Sequence, residues 1–274
     1  MNTLKEQILI YDEACPMCRL YTGAFIKSGM LDENGRQAYA KMQEEVSCII
    51  DKQRARNEIA LVDTRTNTVV YGVDSLFKVI GNSFPLLNKL FNLSWFRFII
   101  RKLYSFISYN RKVIIPDINF EAPNACVPDY HAGYRWLYIV ISWLLTSIVL
   151  FNYSTYFPAY IPESNALREF FICGGQIFFQ FLLVSLLRKG RVMEYLGNMM
   201  TVSLGGAFLL LLPMLLVKLG VAVLPELFLI YFVLVVGVMF IEHVRRVKIL
   251  KLNWGVSIGW VMYRLLVVVL ISIL

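Results

Sequence analysis

Two histidines and a single closely spaced cysteine pair leave this chain poorly equipped to hold a structural metal. A zinc site takes four ligands, often as two such pairs. The remaining candidates, Cys48, Cys126, His131, Cys173 and His243, supply no second pair at ligand spacing. There is also no G-x-G-x-x-G after a strand, no P-loop and no H-E-x-x-H, so the motifs of nucleotide cofactors and zinc hydrolases are missing. The polar Met1 to Gln7 leads into only four apolar residues, too few for the hydrophobic region of a signal peptide. Charge is scarce as well. Only 17% of the residues are charged, against about a quarter in a soluble domain.

That deficit is uneven. Up to about Asn124 charged and apolar residues mix in globular proportions, whereas beyond Tyr134 long apolar blocks alternate with short polar loops. The pattern predicts an N-terminal domain over 1–113, a linker over 114–134 and an all-α membrane bundle over 135–274. Crossing a hydrocarbon core takes about 20 helical residues. Five blocks approach that length: 136–156, 170–187, 195–217, 227–241 and 254–274. Four spans with a re-entrant segment is the competing count.

Loop charges predict an orientation. Arg188, Lys189 and Arg191 follow the second block, and Arg245, Arg246, Lys248 and Lys251 follow the fourth. The other loops hold Arg168 and Lys218, accompanied by Glu163, Glu169 and Glu226. The positive-inside bias then places the N-terminal domain in the cytoplasm of a cell whose cytoplasmic membrane carries the bundle, and five spans leave Leu274 outside. Residues 84–109 interleave Trp95, Phe98 and Ile99 with Lys89, Arg97 and Arg101. This suits basic amphipathic helices on an anionic inner leaflet, or equally helices that close the domain's own core. The net charge of +8 is read the same way, with an anionic bilayer rather than nucleic acid as its partner.

Within the spans Gln176 and Gln180 lie one turn apart, and Arg264 sits near the middle of the fifth block. A charge at that depth is expensive unless paired or hydrated. Gln180 and Arg264 fall at similar depth and are expected to face each other or a shared cavity. The alternative is that Arg264 only snorkels or joins helices.

The chemistry concentrates at Tyr11-Asp12-Glu13-Ala14-Cys15-Pro16-Met17-Cys18, directly after the apolar run Ile8-Leu9-Ile10. A buried strand ending in C-x-x-C at the start of a helix is the plan of a thioredoxin-like redox site. Cys15 at the helix N-terminus would be favoured as thiolate. Cys18, one turn on, would be near enough to close a disulfide. Pro16 suits the first helical turn. Helix is predicted over Cys18 to Ser28 with Gly29 as its stop, and again over Arg36 to Ala55. A hairpin is predicted from Ile59-Ala60-Leu61-Val62-Asp63 and Thr68-Val69-Val70-Tyr71, then a helix capped by Asp74 or Ser75 and ended by Gly81. A thioredoxin-like α/β core results, with its second strand unplaced.

Asp12-x-x-Cys15-x-x-Cys18, the hairpin, Gly72-Val73-Asp74-Ser75-Leu76 and Tyr104…Asn110-Arg111 together resemble the DCC family of thiol-disulfide oxidoreductases, over roughly residues 5–113. The resemblance implies a thioredoxin-like fold with Cys15 and Cys18 as the redox pair. Many members have Asp-Gly-x where this chain has Asp12-Glu13-Ala14, which leaves the turn without its usual glycine. No proline precedes Ile59, so the loop by which thioredoxins hold substrate backbone is not evident. Cys15, taken as the more exposed thiol, would attack a substrate disulfide and Cys18 would resolve the mixed disulfide. Asp12 would either relay the proton of Cys18 or cap the turn. Cys48 is assigned to the core, and Cys126 is a candidate for exchange with the pair.

The expected function is a membrane-anchored protein-disulfide reductase that needs no cofactor beyond its own disulfide, with thiol or disulfide proteins as partners. One variant passes electrons to a quinone near Arg264. The competing class is a non-enzymatic membrane protein that binds or transports something through its bundle and carries a thioredoxin-like sensor or docking domain.

Overall fold

A computed structural model describes residues 2–116, 126–158 and 165–273. Glu163, Leu274 and residues 117–125 of the expected linker lie outside them. The chain divides into two compact units, Met1–Tyr134 and Arg135–Leu274.

The first unit is built on a four-stranded sheet of order β2-β1-β3-β4. Its strands are β1 (Gln7–Tyr11), β2 (Arg36–Ala38), β3 (Ala60–Asp63) and β4 (Thr68–Tyr71). β1 pairs parallel with β2 and antiparallel with β3, and β3–β4 is the expected hairpin. β1 and β3 read as unbroken apolar runs because they are covered on both faces. Side-chain alternation divides them. Leu9 and Leu61 join Phe25 and Val79 on one face, while Ile10, Ala60 and Val62 join Val46, Ile50 and Ala55 on the other.

The helices supply those covers: α1 (Pro16–Lys27), α2 (Glu44–Ile49), α3 (Lys52–Asn57) and α4 (Val73–Ser83). The missing second strand lies inside the stretch read as helix from Arg36. It is only three residues long and has no alternating pattern of its own, so its partner Leu9-Ile10-Tyr11 imposes the extended form. Nor is α4 built as expected. It begins after Gly72, whose φ of +66° suits glycine. Ser75 turns inward and donates to the Val70 carbonyl, and Gly81 is absorbed within the helix. Cys48 is exposed, which corrects its assignment to the core.

After α5 (Asn88–Phe91) comes the long α6 (Ser94–Ile114). Phe77, Phe91 and Phe96 stack between α4, α5 and α6, with the first two rings 4.3 Å apart. The opposite side leaves Leu86, Trp95, Phe98 and Ile99 exposed. Residues from Cys126 onward also bond into this unit. The Cys126 carbonyl accepts from Arg111, and Asp129 and Asn57 exchange two hydrogen bonds.

The second unit is helical: α7 (Ala132–Ser154), α8 (Ala166–Arg188), α9 (Val192–Lys218), α10 (Pro225–Ile249) and α11 (Gly255–Ile273). Four of these are long and apolar enough to cross a membrane, and α11 provides a shorter apolar helix. They mark a membrane protein. Gly206 lets α9 and α10 approach closely, since a Cβ there would collide with Met239.

Candidate functional site

Three local constraints place the first thiol. The Asp12 side chain accepts the Ala14 N–H at 3.0 Å and the Asp12 carbonyl accepts the Cys15 N–H at 3.1 Å, which turns the chain sharply off β1. Cys15 takes the N-cap position with extended backbone (φ −89°, ψ 111°), and Pro16 fixes the first helical residue. The Cys15 carbonyl then accepts the Arg19 N–H, so Cys18 falls one turn along α1.

Both thiols are free. The Cys18 S–H aimed at it, together with the Cys18 backbone N–H and the Arg111 charge, outweighs burial and draws Cys15 down to about 6. Cys18 moves strongly upward, first because it donates to Cys15 and then because it is buried. One proton held between two sulfurs accounts for both directions. The exposures reverse the expectation. Cys15 is the buried thiol at 5% exposure, and Cys18 is the more accessible. Cys15 is not sealed, because it shares with Cys18, Tyr104, Arg111 and Cys126 the wall of a cavity of about 200 Å³.

Asp12 does more than cap the turn. It is 4% exposed, with Lys112 Nζ at 3.1 Å and Arg111 Nε at 3.4 Å. Arg111 is itself buried and donates to the Arg56 and Cys126 carbonyls at 2.8 Å and to the Cys126 sulfur at 3.3 Å. A buried carboxylate and guanidinium thus tie the end of α6 to the turn carrying Cys15. In the sequence Arg111 stands out only as part of the Tyr104…Asn110-Arg111 motif. Its burial could not be read there, although a basic residue at the end of a helix otherwise rich in aromatics was a signal. Cys126 does enter the cavity. Burial raises its thiol to about 11, so it rests protonated.

Tyr104 was also missed as a functional residue. Its hydroxyl accepts the Ile59 N–H at 2.9 Å where the chain enters β3, so that donor is not offered to a substrate backbone. Tyr104→Phe leaves a buried N–H without a partner and is expected to cost about 1–3 kcal/mol in urea unfolding. A loss below about 0.5 kcal/mol would mean the bond contributes little.

Residues 9–115 match the DCC1-like thiol-disulfide oxidoreductase family. No curated protein and no solved structure matches the chain. In this DCC1-like domain the glycine common after the motif's aspartate is dispensable, since neither Glu13 nor Ala14 takes a positive φ. Glu13 instead pairs with Lys41 at 3.1 Å. Among the described residues no three His, Cys, Asp or Glu side chains gather to hold a metal ion.

The polar residues of the second unit separate. Gln180 is fully buried and accepts the Tyr195 hydroxyl at 2.9 Å. It does not line the cavity that holds Arg264; Gln176, one turn away, does. This corrects the expected Gln180–Arg264 pairing: the two glutamines share a helix face but differ by about 6 Å in depth, and counting inward from the ends of the apolar blocks does not resolve one turn. Tyr195 also bonds His243 Nε2 at 2.9 Å, and Ser257 reaches His243 Nδ1 at 3.3 Å. By sequence His243 is only a candidate metal ligand. It lies instead in a buried hydrogen-bonded chain.

Proposed function

We propose that the DCC1-like domain reduces disulfides in protein substrates. The observation that carries this reading is a free thiol at a helix N-cap with its neighbour one turn away, both opening on one cavity. Cys15 thiolate attacks one sulfur of a substrate disulfide. That bond breaks, a Cys15 mixed disulfide forms, and the departing substrate thiolate takes a proton from solvent. With Cys15 no longer charged, Cys18 loses the acceptor that held its proton, while Arg111 still favours its thiolate. Cys18 then attacks the Cys15 sulfur and releases the second substrate thiol. The substrate gains two electrons, the pair becomes a disulfide, and soluble thiols or a partner protein restore it. Asp12 positions this machinery through the turn and through Arg111.

Met17 and Leu20 are exposed on α1, so the substrate segment that reaches the cavity would be partly apolar. We place the domain in the cytoplasm, from the basic loops between the apolar helices, and reduction is the direction suited to that compartment. The exposed apolar side of α5 and α6, with its flanking Lys89 and Lys102, suits an anionic leaflet.

In membranes from cells making Cys18→Ser full-length chain, mixed disulfides with captured proteins are expected to accumulate and to vanish on reduction. Their absence, or equal capture by a variant that also carries Cys15→Ser, would remove the reading.

A further inference from the structure

Arg264 is the tenth residue of the apolar α11, yet among the described residues it makes no hydrogen bond and no ion pair. Its guanidinium lies over the Trp260 ring, 3.8 Å from the centroid, and its Nε is buried without a partner. A cation so placed is costly, and a ring face offsets only part of that. It borders a cavity of about 560 Å³, within the range of roughly 300–1,000 Å³ usual for ligand sites.

The lining is mostly apolar, but its unsatisfied polar groups converge in kind. Gln176, 7% exposed, has its amide nitrogen unpartnered, and the buried Thr146 hydroxyl is likewise unpaired. The carboxylate in the lining, Glu169, is already matched with Arg168 at 2.9 Å. Val233, Leu265 and Val268 belong to the lining and are also exposed on the bundle's apolar surface, which gives entry from the side.

We propose that this cavity binds an anionic amphiphile, an acyl chain whose carboxylate or phosphate head accepts hydrogen bonds from Arg264 and Gln176. An acceptor-only anion supplies both the missing counter-charge and the missing acceptors, and the acyl chain fills the apolar remainder. A neutral quinone would supply acceptors but leave the charge unmatched.

Native mass spectrometry of the full-length chain in a non-ionic detergent tests this with oleate, oleoyl lysophosphatidate, oleyl alcohol and a short-chain quinone. Saturable one-to-one binding of oleate assigns a carboxylate head and of lysophosphatidate a phosphate head, and either supports the site. Arg264→Gln is expected to weaken that binding at least roughly tenfold, with Arg264→Lys retaining part of it. Ala207→Phe, which narrows the apolar part of the cavity and leaves the Arg264 side chain in place, is expected to weaken it by a similar factor and decides the matter if Arg264→Gln does not fold. Cys15→Ser is expected to bind as the parent does. Failure of both anions to saturate, parental affinity in the folded Arg264→Gln or Ala207→Phe variants, or equal affinity for the alcohol or the quinone would overturn the proposal.

Discussion

Reduced protein is expected to show a thiolate absorbance that titrates with a midpoint near pH 6 and disappears in Cys15→Ser. A free thiol titrates near about 8.5, so at neutral pH Cys15 would be almost wholly ionised and a free thiol only a few per cent so. Alkylation at pH 7 is nevertheless a poor discriminator. Nucleophilicity falls as a thiol becomes more acidic, with a slope of about 0.4–0.5, and this returns roughly a tenfold of the gain. Near pH 5.5 the free thiol is nearly all protonated, and there Cys15 should react on the order of tenfold faster than a reference thiol. Linkage gives the same sign in stability. The folded state holds Cys15 below its unfolded value, so its contribution is present above about 8.5 and is lost as pH falls through about 6. Cys18 is shifted the other way, and its contribution is lost as pH rises above the unfolded thiol value. The reduced wild type should therefore gain on Cys15→Ser as pH climbs from 6 towards 8.5–9. A flat difference over that window would mean that Cys15 is an ordinary thiol.

Arg111→Met should be the most destabilising single change in the DCC1-like domain. It leaves Asp12, 4% exposed, with Lys112 as its charge partner and frees the Arg56 and Cys126 carbonyls in the interior. Removing one member of a buried ion pair costs about 3–5 kcal/mol, and Lys112 at 3.1 Å argues for the lower end. The variant also takes away a charge that favours the Cys15 thiolate, so the titration midpoint should rise. Asp12→Asn tests the same link from the other side, and the double variant should cost less than the sum of the two. Urea unfolding of reduced protein reads the first effect and the absorbance titration the second. A loss under about 1 kcal/mol with an unmoved midpoint would disconnect α6 from the site.

What could be read from the sequence follows the range of the interactions involved. The β1–turn–α1 unit, the hairpin and the C-x-x-C geometry depend on neighbours within a few residues, and each is expressed in local pattern: Ile8-Leu9-Ile10, Pro16, and Thr64 to Asn67 between two β-rich runs. Strand β2 depends on a partner 27 residues away in register, Leu9 with Arg36, and its own three residues favour nothing. Arg111 and Tyr104 act on residues far apart in sequence, Asp12 and Ile59, so their basic and aromatic character was visible but their targets were not. The exposure order of Cys15 and Cys18 failed for a related reason. A helix N-cap is exposed on an isolated helix, but here α6 and the Cys126 segment help wall the cavity over it. In the bundle, apolar length located five helices, yet which of two glutamines one turn apart enters the cavity lined by Arg264 is decided by the register in which the helices pack.

The proposed chemistry requires a reversible bond between Cys15 and Cys18. Equilibrating the full-length chain in detergent with glutathione buffers of graded oxidation, then quenching and mapping thiols by mass, measures that bond directly. The expected result is one two-electron transition confined to the peptide containing Cys15 and Cys18, lost in either serine variant. Thiols that stay reduced across the whole series, or a disulfide that forms only with Cys126, would contradict it.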